Sequence, residues 1–282
     1  MGVKCLPKSI AKLAEYAKKF EEVHIVVFKK RAKPRNITNG SGDIVSTNEN
    51  EIALSPNCFV YSTQSRTKWL YPLDAIRLAR FIVEKRKITT ITCQDPFLTA
   101  MVGVSIKKQF GISLEIQIHT DIGSPHFTYS LRNKIQKIMA LMYIPTADTI
   151  RVVSERLKRY VMEDLKINPE NISLRPIPVD SQHIRNMPIS VDIHQKYPQF
   201  KKIVLMASRL EPEKNIKLAL HSWPDVLKRQ PRTGLIIVGQ GSEKAKLRAL
   251  TSTLRLNQNI VFEDWADFTT LISYYKTADV FL

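Results

Sequence analysis

The segment SRLEPEKNI (residues 208–216) decides the fold of the second half of the chain, because it joins two different sequence patterns. The apolar run KIVLMA before it is typical of a buried strand, and the residues after it have the spacing of an amphipathic helix. A strand that leads through a short polar turn into a helix is half of a βαβ unit. Arg209 and Lys214 lie at this junction, so they either bind an anion or are two solvated surface charges.

The same alternation of strands and helices extends outward from this segment along most of the chain. Apolar, β-branched runs predict strands at residues 23–28, 58–62, 88–93, 114–119, 148–154, 202–208, 234–239, 259–264 and 279–282. Helical spacing predicts helices at residues 6–20, 74–87, 96–110, 129–143, 155–165, 215–229, 242–254 and 269–276. The polar residues 29–56 are predicted to form a long loop, and residues 172–179 an extended segment.

This alternation predicts an α/β protein with two doubly wound, Rossmann-like domains facing a cleft. We expect a first domain at residues 1–180, a linker at 181–200 where the period is lost, and a partial second domain at 201–282. The chain opens on a helical pattern and stops inside an apolar run, so we expect it to be a fragment that lacks both termini. Ligands of such folds bind beyond the carboxyl ends of the strands.

The composition points to an anionic partner. The 282 residues include 43 basic and 26 acidic side chains, a formal net charge of +17. A nucleotide, a phospholipid surface or a nucleic acid would match this charge, but the cations form no block, which disfavours nucleic acid. Cys5, Cys58 and Cys93 have no metal-ligand or disulfide spacing, and no apolar run approaches the roughly 18 residues of a membrane span. These features predict a cytoplasmic protein with reduced thiols.

Arg209 and Lys214 are the first candidate site. They combine a bidentate cation and a point charge with the free N–H groups of a helix N-terminus, which suits a diphosphate. The alternative is that Glu211 and Glu213 partly neutralise two solvated cations. The next strand leads into IVGQGSE (residues 237–243), where Gly239 opens a Gly-x-Gly turn. This turn lacks the remaining residues of the dinucleotide and P-loop motifs, which favours a structural turn over a phosphate loop.

Three further strand ends carry candidate residues. His119 and Asp121 follow the strand LEIQIH, at a place suited to hydrogen bonding or proton transfer. Asp95 follows another strand, and a role as a helix cap is favoured over a role in the cleft. Trp265 follows a third, where it either stacks on a base or is buried against the next helix. No cluster with metal-ligand spacing is present, so no metal or other cofactor is predicted.

The helix LRNKIQKIMALMY (residues 131–143) is both basic and amphipathic. Arg132, Lys134 and Lys137 alternate with Ile135 and other apolar residues. Such a helix either lies on an anionic membrane or packs on the sheet with a solvated basic face, and the second interpretation is favoured.

Four segments in order, LMASRLEPEKNIKLAL, LIIVGQGSEKAKL, NIVFEDW and YYKTADVFL, resemble the C-terminal domain of retaining GT-B glycosyltransferases of family four over about eighty residues. The first half is similar more weakly, through QIHTD, IRVVSERLKRYV, PIPVD and TCQDPFLTAMVG. The resemblance implies a nucleotide-diphosphate sugar of the UDP or GDP type as donor, an unknown acceptor, and transfer with retention and no required metal. Many relatives act at the cytoplasmic face of a membrane on lipid-linked acceptors.

The resemblance also implies roles for individual residues. Arg209 and Lys214 match the residues that bind the diphosphate, Gly239 belongs to the donor-binding turn, and His119 matches a histidine near the reacting sugar. Trp265 lies where the family holds the base. The sequence departs from the family pattern at residues 177–179, where Ile-Pro-Val replaces the usual Asn-Gly before Asp180, and at Pro224, which is expected to kink a helix.

The family's Glu-x7-Glu segment is expected after Leu282, and its first strand and glycine loop before the present chain. A non-catalytic nucleotide-sugar-binding or scaffold protein on the same fold is therefore the alternative to an enzyme.

Overall fold

The computed structural model describes residues 16–31, 51–128 and 130–282. The chain divides into two units, Met1–Ile177 and Pro178–Leu282. The first unit contains a three-stranded and a four-stranded sheet, and the second contains one four-stranded sheet. Every pair in the two four-stranded sheets is parallel, and the smaller sheet has one parallel and one antiparallel pair, so the predicted α/β class is confirmed.

The first unit contains seven described strands and four described α-helices. The strands are β1 (Val23–Val27), β2 (Glu51–Ser55), β3 (Cys58–Ser62), β4 (Thr90–Cys93), β5 (Ser113–Ile118), β6 (Thr149–Val152) and β7 (Ile172–Leu174). The helices are α1 (Tyr71–Lys85), α2 (Leu98–Phe110), α3 (Leu131–Tyr143) and α4 (Glu155–Arg159). In the smaller sheet, β3 pairs parallel with β1 and antiparallel with β2. In the larger sheet, the order is β4-β5-β6-β7 and every pair is parallel.

The larger of the two buried apolar clusters of the first unit lies on one face of the larger sheet. Leu114, Ile116 and Ile118 of β5 are completely buried there, together with Ile150 and Val152 of β6. Burying a side chain of this size stabilises a fold by about 1.5–3 kcal/mol. Because alternate residues of a strand point to opposite faces, the residues between these apolar side chains lie on the other face.

The second unit is one parallel sheet in the order β10-β9-β8-β11. Its strands are β8 (Lys202–Ala207), β9 (Thr233–Val238), β10 (Ile260–Glu263) and β11 (Val280–Phe281). Its helices are α5 (Ser181–Asn186), α6 (Ile193–Lys196), α7 (Ile216–Arg229), α8 (Lys244–Thr253) and α9 (Phe268–Thr277). All six residues of β9 are buried, and they alternate between one cluster with Trp223 and another with Tyr274. Apolar clusters on both faces are what a doubly wound sheet requires.

The interval 181–200, predicted as a linker, contains α5 and α6 and falls within the second unit. Ile193 is completely buried in that unit's core, and its N–H donates to Thr277 Oγ1 of α9 at 3.1 Å. Ser190 and Ser273 share a hydroxyl contact of 3.0 Å. The periodicity of this interval is weak because its helices are only four and six residues long.

The structure corrects two local predictions. The predicted loop 29–56 contains the strand β2, whose sequence EIALS is too short to be told apart from the polar residues around it. The turn at Pro56 and Asn57 then reverses the chain, so that β3 pairs antiparallel with β2. The predicted helix 155–165 is α4 followed by a π-helical turn, Tyr160–Asp164. Helix α7 continues through Pro224 to Arg229. Most of the predicted helix 6–20 and the residue Cys5 lie outside the described residues.

Candidate functional site

The carboxyl ends of β8, β9 and β10 form one edge of the second unit's sheet. Because these strands are parallel, the turns that follow them lie side by side. Arg209 follows β8, Gly239 follows β9, and Trp265 follows β10. The structure therefore brings three of the four predicted donor-binding residues to one edge, and Lys214 lies five residues after Arg209 on the same connection.

Arg209 and Lys214 are both exposed, but their surroundings differ. Arg209 Nη2 donates to Glu213 Oε1 at 2.8 Å, and both side chains are largely exposed. Lys214 ends a 3-10 turn, Pro212–Lys214, and its ammonium group has no ion-pair partner among the described residues. Glu211 instead accepts hydrogen bonds from Ser242, at 3.1 Å to the backbone N and 2.7 Å to Oγ. Neutralisation by Glu213 thus applies to Arg209 alone.

The N-terminus of α7 lies directly after Lys214. Asn215, with a left-handed φ of 46°, precedes the helix, and its side chain does not cap it. An uncapped helix N-terminus beside a cation is a favourable environment for an oxyanion, since N–H groups and the helix dipole act together. This combination is able to hold a phosphate group.

The turn after β9 owes its glycines to packing against the turn after β8. Gly239 has a φ of 147°, and a Cβ there would lie 2.0 Å from the carbonyl O of Ser208. At Gly241 a Cβ would lie 2.4 Å from the carbonyl O of Leu210. The N–H of Gly239 donates to the carbonyl O of Glu263 at 3.2 Å, so it already has a protein partner. These contacts account for the turn structurally, while donor binding by Gly239 stays a prediction.

Trp265 is 74% exposed, which excludes the alternative that it is buried against α9. The residue before it, Asp264, forms an ion pair with Lys244 at the start of α8. The hydrogen bond from this lysine lowers the pKa of the Asp264 carboxyl. Trp265 thus exposes its indole ring on a loop that the ion pair of Asp264 with Lys244 holds in place.

Four polar side chains form a cluster at the end of β10, just before that loop. Glu263 at the end of β10 accepts hydrogen bonds from Tyr197, from Tyr274 at 3.0–3.1 Å, and from Lys196 at 2.8 Å. Desolvation alone would lower the pKa of Lys196, but hydrogen bonds to Glu263 and Tyr274 raise it above its usual value. The cluster fixes α6 to the strand that carries Trp265.

In the first unit, His119 and Asp121 follow β5. His119 is exposed, and its Nε2 lies 3.2 Å from Gln117 Oε1. Desolvation by burial and the charge of Arg151 lower the pKa of its imidazole. At neutral pH His119 is therefore uncharged and able to donate or accept a hydrogen bond.

The second face of the larger sheet carries a polar network that positions His119. Gln117 is buried, accepts from Arg151 Nη1 at 3.3 Å, and donates to Thr92 Oγ1 at 3.1 Å and Glu115 Oε1 at 3.0 Å. These residues lie opposite one another across β4, β5 and β6. Arg151 Nε is buried and has no hydrogen-bond partner in the described structure.

Asp121 lines an open cavity of about 360 Å³ next to α4. Its carboxylate pairs with Arg156 Nε at 3.0 Å. The ring of Tyr160 packs so closely that a Cβ at Gly123 would lie 2.6 Å from it. Desolvation raises the pKa of Tyr160, and the negative charges of Asp164 and Asp121 add to the effect.

Asp95 acts in a local turn before α2. Its Oδ1 accepts from the N–H of Phe97 at 2.8 Å, and its own N–H donates to Thr99 Oγ1 at 3.1 Å. The prediction of a helix cap is wrong, because Phe97 occupies the N-cap of α2 and Asp95 closes the turn before it, bonding two residues ahead as a short acidic side chain does. A role for Asp95 in ligand binding stays a prediction.

Cys58 and Cys93 are buried free thiols, and desolvation raises the pKa of Cys93 to about 12. No group of three or more potential metal ligands occurs among the described residues. No described helix combines the length and apolarity of a membrane span.

Helix α3 packs on the core of the larger sheet through Met139, Ala140 and Tyr143, as the favoured interpretation expected, but it also exposes an apolar stripe. Between 42% and 75% of each side chain in this stripe is exposed: Leu131, Ile135, Ile138, Leu141 and Met142. Ala140 is the buried residue of the helix. The helix contains no acidic residue, and Arg132, Lys134 and Lys137 interrupt the stripe.

The contacts of Glu211 with Ser242, Lys244 with Asp264, and Arg156 with Asp121 were not predicted. The order of the strands could have indicated these contacts, because each pair joins segments that follow neighbouring parallel strands. The common edge of such a sheet predicts that these segments meet.

Two family models match the chain. The model described as "Glycosyltransferase Family 4" matches residues 8–183, more than half of the chain. The model described as "Glycosyl transferases group 1" matches residues 192–282. A curated relative, the alpha-monoglucosyldiacylglycerol synthase of Streptococcus pneumoniae, is 23% identical over 215 residues, covering 71% of this chain and 47% of its own. The chain spans about half the length of the curated relatives it matches.

Solved structures match the fold. The sucrose-phosphate synthase of Thermosynechococcus elongatus has a TM-score of 0.70 at 17% identity, covering 95% of this chain and 66% of that one. HepE of Anabaena, in complex with UDP-glucose, has a TM-score of 0.56 at 16% identity, covering 79% of this chain and 59% of that one. At these identities the likeness concerns the fold alone.

Proposed function

Because the chain belongs to glycosyltransferase family 4, we propose that it takes part in transferring a sugar from a nucleoside-diphosphate donor to an acceptor, with retention of the anomeric configuration. The observation that carries the proposal is one edge of the second unit's sheet, where Arg209 and the uncapped start of α7 follow β8, Gly239 follows β9, and Trp265 follows β10. A donor of the UDP type is proposed, since the solved structure of HepE, which shares the fold, is a complex with UDP-glucose.

In this proposal the diphosphate is bound by charge. The guanidinium of Arg209 makes a bidentate contact, and Lys214 adds a point charge beside the N–H groups of α7. When the bond between the sugar and the diphosphate breaks, negative charge accumulates on the departing phosphate. Cations that are already in position stabilise this charge more than they stabilise the bound substrate, and this difference lowers the barrier.

Two other residues have proposed roles in the same reaction. Trp265 stacks on the base, for which its exposed indole is free. Neutral His119 hydrogen-bonds a hydroxyl group of the transferred sugar, which its lowered pKa favours because an uncharged imidazole can accept as well as donate.

Calorimetry tests the donor site. Wild-type protein is titrated with UDP and with GDP, and the Arg209→Ala and Lys214→Ala variants are titrated alongside. We expect UDP to bind, and each substitution to weaken binding by about tenfold or more, since hydrogen bonds between charged groups contribute about 1.5–3 kcal/mol. Absence of binding by both nucleotides, or wild-type affinity in both variants, would contradict the assignment.

Lys228→Ala is the matched control. Lys228 is an exposed, ion-paired cation in the last turn of α7, whereas Lys214 precedes the first turn of that helix. Its removal lowers the net charge by the same amount and is expected to leave nucleotide affinity unchanged. Release of UDP from UDP-glucose in the presence of acceptor separates a transferase from a protein that only binds the nucleotide sugar.

We also propose that α3 binds an anionic membrane surface at the cytoplasmic face. Its exposed apolar stripe, flanked by basic residues and lacking acidic ones, matches an interfacial helix. Ile135→Ser with Ile138→Ser should reduce co-sedimentation with phosphatidylglycerol vesicles, whereas Phe81→Ser on α1, an exposed apolar residue outside the stripe, should not. Equal sedimentation of all three proteins would contradict the membrane assignment.

A further inference from the structure

The turns that follow β1 and β3 in the first unit together form a strongly basic surface. We call it the basic rim, and its five exposed residues are Lys29, Lys30, Arg31, Arg66 and Lys68. None of these five side chains has an ion-pair partner in the described part of the chain. The acidic residues that neutralise cations elsewhere, such as Glu213 beside Arg209, have no counterpart in residues 28–31 or 63–70.

Backbone hydrogen bonds hold the two halves of the rim together. The N–H of Arg31 donates to the carbonyl O of Ser65 at 2.9 Å, and the N–H of Ser65 donates to the carbonyl O of Lys29 at 2.9 Å. Arg66 follows Ser65 directly, so the backbone of Arg31 is bonded to the residue next to Arg66. These bonds hold two basic segments side by side, and because like charges repel, an anion bound between the segments would lower the free energy.

The backbone of the rim has two unusual features. Gln64 adopts a left-handed φ of 48°, which is strained for a residue with a Cβ and recurs at ligand-binding sites. The next residue, Ser65, is buried, and its hydroxyl has no hydrogen-bond partner in the described structure. Buried hydroxyl groups without a protein partner are rare, and this one is able to donate or accept a hydrogen bond.

Trp69 adds an aromatic surface beside these cations. It lies in the 3-10 turn Lys68–Leu70 and is 91% exposed, the largest value among the exposed apolar side chains of the described residues. Exposing a whole indole to water is unfavourable, and tryptophan is enriched where proteins bind ligands. A cationic surface with an aromatic face suits a molecule that carries an oxyanion next to a ring or an acyl chain.

We propose that the basic rim and Trp69 bind the acceptor, and that this acceptor carries a phosphate ester. Arg31 and Arg66 contact the phosphate oxygens, the three lysines add to the positive potential, and Trp69 packs on the part of the acceptor next to the phosphate. The rim lies at the carboxyl ends of two parallel strands, where ligands of parallel sheets bind. Its role as an acceptor site rests on the proposed function, whereas binding of a phosphate ester does not.

Tryptophan fluorescence tests the proposal. Of the three tryptophans, Trp223 is buried, so in a Trp265→Phe background Trp69 is the exposed one. The protein is titrated with sn-glycerol 3-phosphate and, separately, with uncharged glycerol. We expect a saturable change of Trp69 emission with the phosphate ester but not with glycerol. In the variant with Arg31→Ala and Arg66→Ala, the affinity for the phosphate ester should fall by about tenfold or more, because two charge-assisted contacts are lost.

Arg77→Ala with Arg80→Ala is the matched control, since both arginines are exposed on α1 of the same unit. This pair removes the same charge, and we expect affinity within about twofold of wild type because screening limits the effect of distant surface charges. Equal weakening by the two double variants, or an equal response to glycerol and to its phosphate, would overturn the proposal.

Vesicles separate the two possible sources of the phosphate. The background protein carries Ile135→Ser and Ile138→Ser, which removes the contribution proposed for α3. Co-sedimentation with phosphatidylglycerol vesicles is compared between this background and the same protein with Arg31→Ala and Arg66→Ala added. Weaker sedimentation of the arginine variant identifies a phospholipid headgroup, and unchanged sedimentation with lost glycerol 3-phosphate binding identifies a soluble phosphate ester. Either result supports a phosphate-binding rim.

Calorimetry with UDP distinguishes failure of this inference from failure of the proposed function. The Arg31→Ala, Arg66→Ala protein with native Trp265 should bind UDP as wild type does. If wild type binds UDP but shows no saturable phosphate-ester response, the rim proposal alone is overturned. If the phosphate ester binds and UDP does not, the proposed donor site is overturned and the rim remains.

Discussion

Arg209 and Glu213 form an ion pair of 2.8 Å at the edge of the second unit's sheet, while Lys214, the residue after Glu213, has no acidic partner in the described structure. Both members of the pair are largely exposed, so the pair contributes little to folding. Its main effect is on ligand binding, because a diphosphate must displace the carboxylate before it can contact the guanidinium. The carboxylate thus competes with the proposed substrate.

Glu213→Gln should strengthen UDP binding, because it removes that competition and one negative charge near the phosphates. We expect an increase of up to about fivefold, the range that exposed ion pairs allow. Asp225→Asn is the control, since it breaks an exposed 2.8 Å pair with Lys228 on the same connection between β8 and β9. Calorimetry that finds weaker UDP binding in Glu213→Gln would show that Glu213 positions Arg209 productively.

Gly239→Ala should destabilise the second unit. The new Cβ would lie 2.0 Å from the carbonyl O of Ser208, and a φ of 147° is unfavourable for alanine. We expect a loss of about 3 kcal/mol or more, combining backbone strain with overpacking. Gly111→Ala tests backbone strain without a steric clash, because φ of Gly111 is 69° and no atom lies within 4 Å of an added Cβ. This substitution should lower the free energy of unfolding by about 1 kcal/mol. Denaturant unfolding measures both, and equal losses would refute the steric explanation.

Arg151→Met should raise the pKa of His119. Desolvation remains in the variant, but the positive charge that disfavours a second positive charge on the imidazole is gone. In wild type, the pKa of His119 is lower in the folded than in the unfolded state. The unfolded state therefore binds a proton first as the pH falls. The contribution of His119 to the free energy of unfolding is present above its unfolded pKa and decreases below that pH.

An NMR titration of the His119 ring measures this change directly. Arg156→Met is the control, because Arg156 pairs with Asp121 and is not among the causes of the His119 shift. An unchanged titration curve in Arg151→Met would leave desolvation as the sole cause.

Much of the fold and the position of the candidate site followed from the sequence, since both depend on local patterns. The apolar runs that became β5 and β8 predicted strands, and their polar successors His119 and Arg209 lie where parallel strands end. The strand β2 was missed because its five residues carry no clear alternation and its partner is set by a turn.

Contacts between distant segments were not predictable in the same way. Lys196 and Glu263 are 67 positions apart in the sequence, and no period relates them. Similarly, Glu211 and Glu213 were considered as partial neutralisers of the two candidate cations, but Glu213 pairs with Arg209, Glu211 bonds to Ser242, and Lys214 has no ion-pair partner in the described structure. Side-chain rotamers and long-range packing decide such pairs, and neither is encoded in periodicity.

Glu263→Gln should destabilise the second unit, because it removes the charge that Lys196, Tyr197 and Tyr274 all contact. Glu263 is mostly buried, whereas Lys196 is partly exposed, so we expect a loss of about 2 kcal/mol at neutral pH, below the range for fully buried pairs. Asp225→Asn, which breaks an exposed pair, should change stability little.

The effect of Glu263→Gln should also depend on pH in a defined direction. Desolvation opposes the charged form of Lys196, but hydrogen bonds to Glu263 and Tyr274 hold its pKa above the usual 10.5. The folded state therefore keeps a proton that the unfolded state loses, so this stabilisation is fully present below about pH 10 and decreases as the pH rises further. Unfolding of wild type and variant between pH 7 and 11 should show a constant difference that narrows above pH 10. A difference that widens there would show that Glu263 does not hold the proton on Lys196.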